Sequence, residues 1–82
     1  MIYKVIKEEK VITKLGDEIV VKLIEMYDEI EIELGIEIPT YKVMVESEIE
    51  IYEFTAKYYT TLGNAEKGYI RMLAEVKNRW SY

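Results

Sequence analysis

Read from the N-terminus, the chain first alternates between apolar and polar positions and then changes period. IYKVI (residues 2–6) and VITKL (11–15) alternate, and both are rich in β-branched side chains. The charged KEEK between them (7–10) predicts either a hairpin of two short strands or a single working strand, the second. A two-residue period puts Val11, Thr13 and Leu15 on one face, with Lys10, Ile12 and Lys14 on the other.

From residue 17 the spacing widens. Ile19, Leu23, Tyr27, Ile30 and Leu34 recur three or four apart and predict a helix over 17–34. Asp17 is placed to cap it, Glu18 sits at the positive end of its dipole, and Gly35 stands where a helix-ending glycine belongs. Val21 and Ile32 fall on the opposite side, among the acids. IEIELGIEI also reads as a strand, but the apolar stripe continues through Ile30 and Leu34 and favours helix up to Gly35. Pro39 and Thr40 open a predicted second helix over 40–62, with Thr40 as N-cap. Its polar stripe (Lys42, Glu46, Glu50, Glu53, Lys57) is narrow, and the rest of its surface needs cover on several sides. Gly63 and Asn64 break the chain before a third helix over 65–80, whose inner stripe is Tyr69, Leu73, Val76 and Trp80. The expected architecture is a single domain, 1–82, that is mainly α: an N-terminal strand or hairpin over 1–16 followed by three helices.

Composition changes this picture in two ways. The chain has 82 residues, half of them hydrophobic, and no cysteine to staple the fold. So small an apolar-rich chain gains by burying surface against a second copy. The expectation is therefore a homodimer formed through the second helix and the strand, with Val11, Leu15, Met44, Ile51 and Tyr52 at the interface. Histidine is absent as well, which excludes an ordinary zinc site, a Ser-His-Asp or Cys-His pair, and an imidazole base at neutral pH. Neither a cofactor nor catalysis is expected. Abundant Ile, Glu, Lys and Tyr without any Gln fit a thermophilic source, archaeal or viral. With no apolar run near the roughly 18 residues of a membrane span and no signal peptide, no membrane partner is expected. The expected location is the cytoplasm of a cell or a virus-infected host cell.

The net charge of −5 is unevenly distributed. Residues 1–16 carry four lysines against two glutamates, residues 17–54 twelve acids against two lysines, and residues 55–82 five bases against two acids. The ends are basic and the middle is strongly acidic. The total disfavours nucleic acid, while the N-terminal lysines leave a local basic patch.

A strand running directly into GDEIVVKLIEM resembles the ribbon-helix-helix DNA-binding family over residues 10 to about 54. Asp17, Glu18, Ile19, Leu23 and Met26 stand at that family's offsets, and Gly35 with Thr40 resembles its turn and second cap. The chain departs from the pattern in a longer first helix, in Thr13 for an apolar strand residue, and in a longer turn holding Glu37. The resemblance implies a ribbon-helix-helix-like dimer with an extra C-terminal helix, acting as a small non-enzymatic DNA-binding regulator. Lys10, Ile12 and Lys14 would face the groove, and Thr40 would cap a helix whose N–H groups meet a phosphate. The bland alternative makes the lysines guardians of an edge strand.

Two rival classes stand beside it. The acidic centre, with Val21 and Ile32 stranded among the acids, fits a helical protein-interaction or assembly module without nucleic acid. The pairs Glu25/Asp28 and Glu50/Glu53 resemble those of MazG-type nucleotide pyrophosphohydrolases, which hold magnesium between helices, though a solvated acidic face explains them more simply. Glu48, alone on an apolar arc, calls for a partner such as Arg71 or Arg79. Trp80 in VKNRWSY continues an apolar stripe, so packing is its expected role rather than base stacking.

Overall fold

The computed structural model describes residues 2–35, 38–49 and 54–80. Four strands and two helices follow one another as β1 (Ile2–Ile12), β2 (Glu18–Tyr27), α1 (Glu29–Glu33), β3 (Thr40–Glu46), β4 (Lys57–Tyr59) and α2 (Leu62–Trp80). The strands form one antiparallel meander in the order β1-β2-β3-β4, and α2 lies across one face. This is a two-layer sheet-and-helix domain. The expected mainly α, three-helix, ribbon-helix-helix-like architecture is therefore corrected.

The correction has a specific cause. Ile19 and Leu23 are four apart, a spacing that fits one helix face and also one strand face, because four is even. Val21 decides between the readings: a helix turns it away from the other two, whereas a strand puts all three in line. In β2 all three are fully buried, at 0% exposure. The same even spacing disguised β3, where Tyr41 and Val43 face the core while Lys42 and Met44 point to the other side. Thr40 opens this strand and caps no helix. KEEK also interrupts nothing: β1 runs through it as eleven continuous residues, with a bulge at Ile6.

The hairpin turn over 13–17 explains Thr13. Its hydroxyl accepts from the N–H groups of Leu15 (3.3 Å) and Asp17 (3.1 Å), and its own N–H donates to the Asp17 carbonyl (2.9 Å). Gly16 takes φ +86°, a conformation that favours glycine. Asp17 thus closes a turn and caps no helix. The acid that does cap is Asp28, whose Oδ1 accepts from Ile30 N (2.8 Å) and Glu31 N (3.4 Å) to start α1.

α2 lies where the apolar pattern placed a helix over 65–80, but it begins earlier. Thr61 caps it through bonds to Asn64 N and Ala65 N, so Gly63 and Asn64 sit in its first turn. Ala65, Tyr69, Met72 and Val76 meet Val11, Ile19, Val21, Leu23, Tyr41 and Val43 to form the core. Burial raises the Tyr69 phenol above its ordinary value, with Glu9 and Glu8 adding to the effect. At the far end the Trp80 carbonyl accepts from Lys14 N (2.9 Å), which pins the helix C-terminus to the hairpin turn. Trp80 packs edge-on against Phe54 with ring centres 4.9 Å apart, in the packing role its stripe predicts.

Candidate interaction surface

Strand pairing sorts the molecule into two ends. Val11 pairs with Ile19 beside the hairpin turn, while Ile2 pairs with Tyr27 and Met26 with Thr40 at the other end. Eleven strand residues span about 36 Å, whereas nineteen helical residues span about 28 Å. With its C-terminus fixed at the turn, α2 stops short of the opposite end. The fully buried row in β2 ends at Leu23. Beyond it Glu25, Met26 and Tyr27 are half-buried, and Ile2, Tyr3 and Val5 across from them are exposed. The result is an elongated body, 48 × 23 × 17 Å, with a bare sheet tip.

Residues 28–35, which follow β2 directly, are attached to that tip. α1 carries Ile30 and Leu34 one turn apart, both exposed (Leu34 at 72%), and Ile38 is exposed as well. Glu31 and Glu33 flank that apolar pair on either side of the helix surface. Between Lys22 and Lys42 the sequence has six acids and no base. Single exposed apolar residues are ordinary, but six large ones occur toward one end, with Tyr3 and Val5 on the open sheet face, Ile2 on the opposite face, and Ile30, Leu34 and Ile38 in the segment between β2 and β3, a concentration of the kind that marks an interaction site.

The residues expected to bind DNA are not brought together. Lys10 and Ile12 share the face of the sheet that α2 leaves open, Lys14 lies in the hairpin turn, and Thr40 stands at the other end. The Lys10 ammonium is 3.4 Å from the Glu18 carboxylate. β1 pairs with β2 of its own chain, so the ribbon-helix-helix arrangement that would have set these residues in a groove is absent. Lys4, Lys7 and Lys10 together with the bulge instead mark β1 as an edge strand guarded against further pairing. Lys7 and Glu9 also reach back to α2, pairing with Glu66 and Lys77.

The expected interface residues are scattered too. Val11 is buried in the chain's own core, Leu15 is 79% exposed at the turn, and Met44 is half-buried on the open sheet face. Ile51 and Tyr52 lie outside the described residues, as do Glu50, Glu53 and Glu37. Of the other acidic pair, Glu25 is on a strand and the Asp28 carboxylate is engaged in capping. Among the described residues no cluster of three or more potential metal ligands occurs. Glu48 is exposed and sits on no apolar helix.

The open sheet face is partly covered by its own side chains, although Ile12 and Tyr58 on it are exposed. Lys22 bonds Glu46 at 2.9 Å, which raises its pKa above the usual lysine value, and the Lys42 ammonium lies 5.7 Å from the Tyr58 ring centre. Between these charged pairs Ile24 is only 8% exposed. A wide groove of about 440 Å³ beside the hairpin turn is lined partly by Asp17, Glu18, Glu46 and Glu48, but Glu18 and Glu46 are already paired with lysines. The tip is the end where exposed apolar side chains and several acids occur together.

The fold and this surface define a small sheet-and-helix domain with an uncovered acidic, apolar end. No family model, curated protein or solved structure matches the chain. Among the described residues no helix is long and apolar enough to cross a membrane.

Proposed function

We propose that this chain is a non-enzymatic protein-interaction module that works through the tip of its sheet. One observation carries the reading: large apolar side chains collect at the end that α2 leaves bare, and carboxylates border them. A surface of this composition is stabilised by cover, since each buried apolar Å² contributes roughly 25 cal/mol. The chemistry available supports a binding role, because a chain without His or Cys lacks the usual nucleophile–base pairs. The lysines at the turn end support it indirectly, since Lys10 already serves the sheet through Glu18.

The test is a photo-crosslinking residue placed at Leu34, with Leu15 as control. Both sites are exposed and apolar, but they lie at opposite ends of the molecule. Discrete protein adducts in the native cell, either to the chain itself or to another protein, are expected from Leu34 and not from Leu15. Adducts from Leu15 alone, or from neither site, would contradict the reading. So would retention of duplex DNA by the folded chain that is lost on replacing Lys10 and Lys14 by Ala, which would return the protein to nucleic acid.

A further inference from the structure

The acidic, apolar tip has a counterpart on the same molecule. α2 turns Ala65, Tyr69, Met72 and Val76 to the core, so Lys67, Ile70, Arg71 and Ala74 lie along its back. All four are exposed, and Ile70 is 64% exposed, with Lys67 and Arg71 on one side of it and Glu66, which pairs with Lys7, on the other, while Glu75 follows one turn after Arg71. Neither Lys67 nor Arg71 has a salt-bridge partner among the described residues, in contrast to Lys7, Lys10, Lys22 and Lys77. At the tip, Glu31 and Glu33 are likewise unpaired among the described residues.

We propose, building on the interaction reading above, that the tip docks on the back of α2 in a second copy of this chain. Ile30 and Leu34 cover Ile70 and Ala74, while Glu31, on one side of the α1 pair, meets Lys67 and Arg71. The two surfaces match in three respects. Each carries an apolar pair bordered by charge, the acids of α1 are opposite in sign to Lys67 and Arg71, and the spacing on each is about one helical turn. The uneven charge along the sequence, an acidic middle and a basic C-terminal third, thereby becomes self-complementary in space. Because tip and back are different patches, the contact either closes as a reciprocal pair or propagates head to tail. α1 is only five residues long, so the contact is smaller than the roughly 800 Å² per partner of a standard interface and correspondingly weak.

Sedimentation of the full chain at about 0.3 mM, where a weak contact of this kind is populated, tests the proposal. The wild type is expected to exceed its 9.7 kDa monomer mass at low salt. Near 1 M salt, where the screening length falls to about 3 Å, the association should weaken at least roughly tenfold. Lys67→Glu with Arg71→Glu should give monomer, as should Glu31→Lys with Glu33→Lys. An equimolar mixture of the two reversed proteins should associate again, because both contacts regain opposite charges. Circular dichroism of each variant checks the fold, and Glu31→Gln with Glu33→Gln gives a milder weakening should a reversal unfold the chain. A monomeric wild type at low salt, or reversed variants that assemble as well as the wild type, would overturn self-docking. The back of α2 has no part in the broader interaction reading, so Leu34 adducts to another protein alongside a monomeric wild type would sink self-docking alone.

Discussion

At the scale of single residues, the tightest point of the fold is where α2 crosses the short outer strand. Gly68 lies against the Tyr59 ring so closely that an added Cβ would overlap the phenol, and the ring is held by the sheet beneath it. Glycine inside a helix ordinarily weakens it by about 0.5–1 kcal/mol relative to alanine. Here close approach outweighs propensity. Gly68→Ala should therefore destabilise the protein by about 1–3 kcal/mol through overpacking, although it improves helix propensity. Urea unfolding measures this, and a variant as stable as the wild type would show that Tyr59 moves aside at little cost. Val21 illustrates the same scale from the sequence side. It was legible as an outlier of the helical stripe, and being an outlier was the evidence for a strand.

At the scale of elements, the β1–β2 hairpin organises the rest. Its turn is closed by a polar atom in a buried place: Thr13 is 1% exposed and its hydroxyl accepts two backbone N–H groups. Thr13→Val keeps the shape but leaves those donors without their acceptor, which should cost about 1–3 kcal/mol. Thr13→Ser should retain most of the stability in the same urea titration, and equal stability of the Val variant would refute the role of the hydroxyl. Elements also set how much could be read in advance. α2 was visible because Tyr69, Val76 and Trp80 follow a helical period in a segment that also contains Lys67, Arg71 and Ala74, with no competing two-residue pattern. β2 and β3 were not visible, because Ile19/Leu23 and Lys42/Glu46 repeat at four, a spacing common to both periods. GDE added to the misreading by resembling a helix start, whereas the true cap, Asp28, opens a helix of only five residues. β4, three residues long, carries too short a pattern to identify a strand. The tip itself was half legible. Its acidity was plain in the sequence, and so was the oddity of Ile32, but its exposure depends on where α2 ends.

At the scale of the whole molecule, a long sheet is paired with a shorter helix. One end is pinned, with Trp80 bonded to Lys14 at the hairpin turn, and the surplus length of sheet emerges at the other. Charge follows the same axis. The lysines of β1 are placed along an edge and largely paired, while Asp28, Glu29, Glu31 and Glu33 stand at the bare end. In the proposed reading the tip, and not the rest of the open sheet face or the guarded edge, is the working surface. Amide hydrogen exchange locates a covered surface and, with the chain itself as the partner offered, tests the tip and its self-docking most directly. α1 is too short to protect its own amides for long, since an isolated helix of that length is marginal in water. On moving the full chain from dilute, high-salt to concentrated, low-salt solution, amides of residues 28–35 should slow by at least roughly tenfold, equivalent to about 1.4 kcal/mol of added local stability. Those of the hairpin turn, 13–17, should stay unchanged. Slowing confined to the turn, with 28–35 exchanging at the same rate in both conditions, would contradict the assignment of the tip as the surface through which this protein works.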